Sequence, residues 1–123
     1  MIMATEQGCR VLVVEDSPSS AGVLEAMLRH YGHQVEIAET VAEAMAKLEW
    51  QPGCILLDLK LPDACGTEVL RAVREREMDI RVAVLTASRD PELLKEVSAL
   101  EPDEIFFKPI EANRVMEWLA TIG

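Results

Sequence analysis

Residues 54–63 read CILLDLKLPD, and the reading of this chain turns on how that run ends. Ile55, Leu56 and Leu57 make an unbroken apolar stretch, the pattern of a strand buried on both faces. Asp58 then follows with no turn residue before it. A carboxylate at the end of the most apolar run of a chain calls for a reason beyond solvation.

Outward from that run, strands and helices alternate. RVLVVED puts Val11 to Val14 in a first strand that ends in Glu15 and Asp16. SPSSAGVLEAMLRHYG opens on a cap, Ser17, with Pro18 in the first helical position. Val23, Leu24, Met27, Leu28 and Tyr31 recur at helical spacing, and Gly32 can close the helix. HQVEIAE alternates as a second strand, and Thr40-x-x-Glu43 has the form of a capping box for the next helix. GTEVLRAVRERE is amphipathic, with Val69, Leu70 and Val73 on its inner side and Arg71 and Glu75 spaced for an ion pair on its outer side. IRVAVLTA is a fourth strand, Asp90 and Pro91 start a fourth helix, and DEIFFKP is a short fifth strand. EANRVMEWLATI closes with Val115, Leu119 and Ile122 on one stripe.

Five such units predict an α/β fold: a doubly wound five-stranded parallel sheet flanked by five helices, flavodoxin-like, with the strand order 2-1-3-4-5 common in that class. At 123 residues, half of them apolar, the chain suits one domain with a single sizeable core. Residues 1–9 read as an N-terminal tail and 10–123 as the domain. The formal net charge of −10 argues against nucleic acid or an anionic membrane surface as the partner of this domain, since either needs a basic face. Cys9, Cys54 and Cys65 are odd in number and lack C-x-x-C spacing, which argues against a disulfide framework or zinc site and suits a reducing, cytoplasmic setting. Cys54 and Cys65 are expected in or near the core. No stretch is long enough to span a membrane.

In this architecture ligands bind beyond the carboxyl ends of the strands, where strand order reverses. Those ends carry Glu15 and Asp16, Asp58, Thr86, and Lys108 followed by Pro109. Three carboxylates brought together repel, and a hard divalent cation removes the penalty. Mg2+ suits a few carboxylate oxygens with waters and a phosphate oxygen. Asp16 and Asp58 are candidate direct ligands, Glu15 a ligand directly or through water, and the Lys60 backbone carbonyl a further one. With the Lys108 ammonium opposite, such an edge would receive a phosphoryl group, and Asp58 would be the carboxylate nucleophile.

Four motifs, VEDS with Glu15 and Asp16, LLDLKLPDACG with Asp58, Pro62 and Gly66, LTAS with Thr86, and FFKP with Lys108 and Pro109, stand in order at these strand ends. Together they resemble the receiver domain of response regulators in two-component signalling, over nearly the whole chain. The resemblance implies that Asp58 takes a phosphoryl group from a histidine kinase or phosphotransfer protein with Mg2+ required. It further implies that Thr86 hydrogen-bonds the phosphoryl oxygen, that Lys108 pairs with it, and that the altered surface regulates a downstream protein partner. Catalysis would be limited to self-phosphorylation and slow self-dephosphorylation. The positions of Lys60 and Ser88 are those that tune phosphate lifetime in the family.

The chain also departs from that pattern. The family usually has Tyr or Phe three residues before the lysine, where this chain has Ile105; Phe106 and Phe107 follow, facing opposite ways if the strand alternates. SALEPDEIFF lacks the Gly-Ala pair common before the fifth strand. These departures motivate an alternative, a pseudo-receiver that binds a protein without being phosphorylated. A flavodoxin-like cofactor domain is disfavoured because Glu15 and Asp16 would repel the cofactor phosphate. An aspartyl-phosphate hydrolase is disfavoured because DLK puts Lys60 where a second acid should stand.

Overall fold

The computed structural model describes residues 8–122, so residues 1–7 of the expected tail lie outside the described residues. Five strands alternate with five helices: β1 (Arg10–Val14), α1 (Pro18–His30), β2 (Gln34–Ala38), α2 (Val41–Lys47), β3 (Cys54–Asp58), α3 (Thr67–Glu75), β4 (Arg81–Thr86), α4 (Pro91–Ala99), β5 (Glu104–Phe107) and α5 (Ala112–Ala120). All strands pair in parallel, as the alternation predicts, in the order β2-β1-β3-β4-β5 expected of the fold class. Order reverses between β1 and β3, so Val14 pairs with Leu57 and their carboxyl ends share one edge.

Pleating divides the apolar strand residues between two cores. Leu12, Ile55, Leu57, Val82 and Val84 face α2, α3 and α4, while Val11, Val13, Leu56, Ala83 and Leu85 face α1 and α5. β1, β3 and β4 are therefore apolar at every interior position, whereas the edge strand β2 alternates. Deleting any fully buried leucine of β3 would cost about 2–5 kcal/mol.

Local signals explain most boundaries. The Ser17 hydroxyl accepts from Ser20 N–H at the start of α1, with Pro18 following. At its end Gly32 adopts φ +90, and His33 N–H reaches back to the Leu28 carbonyl, closing the helix in a Schellman-type turn. In α2 the Thr40 hydroxyl accepts from Glu43 N–H, but the Glu43 carboxylate reaches one residue further out, to Glu39 N–H. Asp90 caps α4 by accepting from Glu92 N–H.

Three expectations from spacing need correction. Val23 and Tyr31 do not join the inner stripe of α1: they are 61% and 55% exposed, and Ala21, Leu24 and Leu28 carry the packing. Periodicity marks which side of the helix is apolar but not how wide a strip of it is covered. Arg71 pairs with Glu96 of α4 at 3.5 Å rather than with Glu75 on its own helix. Cys65 is exposed, because it sits on the loop after β3 instead of in the core; Cys54 is buried as expected.

The missing Gly-Ala pair is resolved by a non-glycine residue in the left-handed region. Glu101 adopts φ 56, and its carbonyl accepts from Arg74 Nε (3.1 Å) and a terminal nitrogen (2.7 Å). Arg74 also pairs with Asp103 at 2.9 Å, and Asp103 accepts from Val82 N–H at 2.7 Å. Burial alone would raise the Asp103 pKa. The Val82 N–H and the Arg74 guanidinium outweigh it and hold the carboxyl below its ordinary value.

Candidate functional site

Residues at or just past the carboxyl ends of β1, β3, β4 and β5 gather at the switch point. Glu15, Asp16, Asp58, Lys60, Thr86 and Lys108 line one cavity of about 920 Å³ together with residues of the surrounding loops. Ligand oxygens of Glu15, Asp16 and Asp58 lie within 4.8 Å of one another. Glu15 and Asp58 are buried, and Asp16 is exposed, so the group opens to water on one side.

Lys108 closes the cluster from β5. Its ammonium donates to Asp58 Oδ2 at 3.0 Å and to Glu15 Oε1 at 3.3 Å. The remaining Asp58 oxygen, Oδ1, accepts from Lys60 N–H at 3.3 Å, and Glu15 Oε2 accepts from Ser17 N–H at 3.1 Å. Burial pushes the Glu15 carboxyl up, the Asp58 charge adds to that, and the Ser17 N–H and Lys108 oppose it without cancelling it. For Lys108 burial works downward, but the hydrogen bond and charge of Asp58, followed by those of Glu15, hold the ammonium above its ordinary pKa. The site thus stores acidity that a single ammonium only partly neutralises.

The donor set fits a hard divalent cation. Three carboxylates converge from two adjacent strands, two of them buried, with an open side for waters. Lys60 lies at the same cavity, and the contact seen is from its N–H to Asp58.

The loop after β3 folds back closely on Asp58. Gly66 N–H bonds the Leu59 carbonyl, and a Cβ at Gly66 would lie 2.2 Å from the Asp58 carbonyl oxygen. Only hydrogen fits there, which lets the loop backbone lie directly against the end of β3. Asp63 extends from this loop to α2, where its two oxygens accept from Val41 N–H and Ala42 N–H at 2.9 and 3.0 Å. Sequence reasoning missed this cap, since it joins residues 22 positions apart.

Thr86 is buried at the end of β4, pairs with Phe107, and has its hydroxyl accepting from Ser88 N–H at 3.0 Å. Ile105 is not at the cavity: it packs half-buried against the core on the α2–α4 side. Phe106 packs on the other side, edge-on to Trp118 with centroids 6.3 Å apart. Phe107 lies beneath the Arg89 guanidinium, 4.1 Å from the ring centroid. The opposite facing of the two phenylalanines follows from strand alternation; the arginine over the second was not legible.

Residues 11–120 match the response regulator receiver domain family, and the chain belongs to it. This is a family of signalling rather than catalytic domains, whose members interact with histidine kinases and downstream effectors. The chain is 37% identical over 108 residues to the virulence transcriptional regulatory protein PhoP of Salmonella typhimurium, covering 87% of this chain and 48% of that protein. It is 34% identical over 110 residues to the transcriptional regulatory protein TrcR of Mycobacterium tuberculosis, covering 87% and 42%. The chain therefore spans about half the length of the curated relatives it matches. Among solved structures, a CheY-like response regulator receiver domain protein from Methanospirillum hungatei superposes with a TM-score of 0.87 at 27% identity, covering 93% of this chain and 92% of that one. The receiver domain of a signal transduction histidine kinase from Syntrophus aciditrophicus gives 0.86 at 25% identity, covering 94% and 89%. Among the described residues no helix is long and apolar enough to cross a membrane.

Proposed function

We propose that Asp58 is the phosphoacceptor of this receiver domain and that Glu15, Asp16 and Asp58, with the Lys60 carbonyl, hold the Mg2+ the reaction requires. The observation that carries this reading is the convergence of three carboxylates and the Lys108 ammonium on one open cavity at the sheet switch point. When bound, the cation supplies charge neutralisation for the carboxylates and for the incoming phosphoryl oxygens.

The chain's own residues do the rest. β3 fixes Asp58, and one of its oxygens attacks the phosphorus of a phosphohistidine on the donor protein. The O–P bond forms, and the donor P–N bond breaks with its electron pair passing to the imidazole nitrogen. Lys108 follows the charge from the carboxylate to the phosphoryl oxygens, and the Thr86 hydroxyl donates to one of them. Each phosphoryl group adds about −1.5 to −2 charges to the acidic edge, which is the driving force for rearrangement. Lys60 and Ser88 border the approach of the hydrolytic water and set how long the acyl phosphate persists. The changed surface then acts on a downstream protein partner, and the domain works in the cytoplasm. Its only chemistry is its own phosphorylation and slow dephosphorylation.

Incubation with a small phosphodonor and Mg2+, followed by intact mass measurement, tests this. One added phosphoryl group is expected, absent in Asp58→Asn and absent when the metal is chelated. A protein that gains no mass under these conditions is a partner-binding module without phosphorylation, and the proposal fails.

A further inference from the structure

The loop between β4 and α4 is held by side chains at every step. Thr86 Oγ1 accepts from Ser88 N–H at 3.0 Å, Ser88 Oγ accepts from Asp90 N–H at 3.1 Å, and Asp90 Oδ1 accepts from Glu92 N–H at 3.1 Å. Each bond spans two residues, and the three run head to tail from the buried Thr86 to the first turn of α4. Such a run links the Thr86 hydroxyl through Ser88 to the cap of α4.

The backbone at Thr86 is tied to β5 by the Lys108 N–H donating to its carbonyl at 2.8 Å, and Arg89 adds a side-chain contact beyond it. Its guanidinium lies 4.1 Å from the centre of the Phe107 ring. Among the described residues it has no carboxylate within ion-pair distance, although the chain carries a net charge of −10. Phe107 is opposite Thr86 in the β4–β5 register and directly precedes Lys108. The stack therefore ties the loop to the strand that delivers the ammonium to Asp58. Ile105, by contrast, packs against the core on the α2–α4 side.

We propose that Arg89 is the positioning residue of this site: its stack on Phe107 holds the β4–α4 loop, and Thr86 with it, in the resting place, and capture of a phosphoryl group at Asp58 must break that stack. The proposal rests on Asp58 being the phosphoacceptor. Signal then leaves the site through the Arg89–Phe107 contact and not through the side chain at 105. An exposed cation–π contact of this kind biases a two-state loop by about two- to fivefold.

Two measurements on Arg89→Ala, Arg89→Lys, Phe107→Leu and the Arg89→Ala/Phe107→Leu double variant test it. The first is amide hydrogen exchange in the unphosphorylated protein. Exchange at Ser88 and Asp90 should rise about two- to fivefold in Arg89→Ala and Phe107→Leu, with Leu56 unchanged, less in Arg89→Lys, and no further in the double variant. The second is the initial rate of phosphoryl uptake from a small phosphodonor with Mg2+, which should rise by the same factor in the same variants. Unchanged exchange at Ser88 and Asp90, an equal rise at Leu56, additive effects of the two substitutions, or equal uptake rates in variants and parent each overturn the proposal. If the parent takes up no phosphoryl group, the reading of Asp58 fails instead, and the exchange measurement alone decides whether Arg89 holds the loop.

Discussion

Replacing Lys108 by methionine keeps the reach of the side chain and deletes its charge. Two buried carboxylates then lose the ammonium that sits 3.0 Å from Asp58 and 3.3 Å from Glu15. The carboxylate side chains are only 7% and 3% exposed, so water replaces the lysine poorly. Removing one partner of a fully buried pair costs about 3–5 kcal/mol, because the other charge stays behind. Lys108 is itself 30% exposed, and solvent already screens part of its attraction, so about 2–3 kcal/mol is the expected loss. With a urea slope of about 2 kcal/mol per M, the unfolding midpoint falls by about 1–1.5 M. Two further results follow from the same reasoning. Asp58→Asn added to Lys108→Met should restore part of the loss, since it removes one of the stranded charges. Added Mg2+ should raise the midpoint more in Lys108→Met than in the parent, because a divalent cation no longer competes with the ammonium for the same oxygens. A midpoint that stays put, or a smaller Mg2+ effect in the variant, would refute the claim that Lys108 neutralises this cluster.

Other expectations are shorter to state. Gly66→Ala should cost about 1–3 kcal/mol of stability in urea unfolding, since its Cβ meets backbone atoms on both Asp58 and Leu59, while Gly53→Ala, whose nearest neighbour would be 3.7 Å away, should cost well below that. The Asp103 carboxyl titrates below its unfolded value of about 3.9, so its contribution is present above that pH and disappears as pH falls through the folded pKa. Asp103→Asn should therefore be less stable than the parent by about 1–2 kcal/mol at pH 7, and the gap should narrow as melts are taken below the unfolded pKa of about 3.9. A thiol reagent should modify the exposed Cys65 first, Cys9 more slowly, and the buried Cys54, whose thiol burial pushes well up, only on unfolding.

The parts of the fold and site that were legible share one property: their signal is local. Apolar strands that stop abruptly at Glu15, Asp58 and Thr86 announce both the sheet and its functional edge, and Ser17–Pro18 and Asp90–Pro91 announce helix starts by cap chemistry a few residues long. What escaped was set by distance in the chain. Arg74 reaches Glu101 and Asp103 across 27 and 29 residues, and neither end differs from an ordinary surface charge until the helices are in place. The partner of Arg71 was misjudged for the same reason: the near acid lies on its own helix, and the one that pairs lies on the next. Helical spacing over-counted the inner face of α1, because periodicity marks which side is apolar but not how wide a strip the sheet has room to cover. The acids at the strand ends were visible singly; their meeting around Lys108 depended on strand order, which came from the fold class rather than from any residue.

Asp63 has a consequence for anyone recombining this domain with its relatives. Because the loop after β3 supplies the acceptors for the first amides of α2, those two segments form one transplantable piece. A chimera that imports a foreign loop while keeping the native helix leaves two N–H groups bare, and frays a wall of the scaffold well away from the splice. Crossover points placed before residue 40 and after residue 66 avoid the breakage.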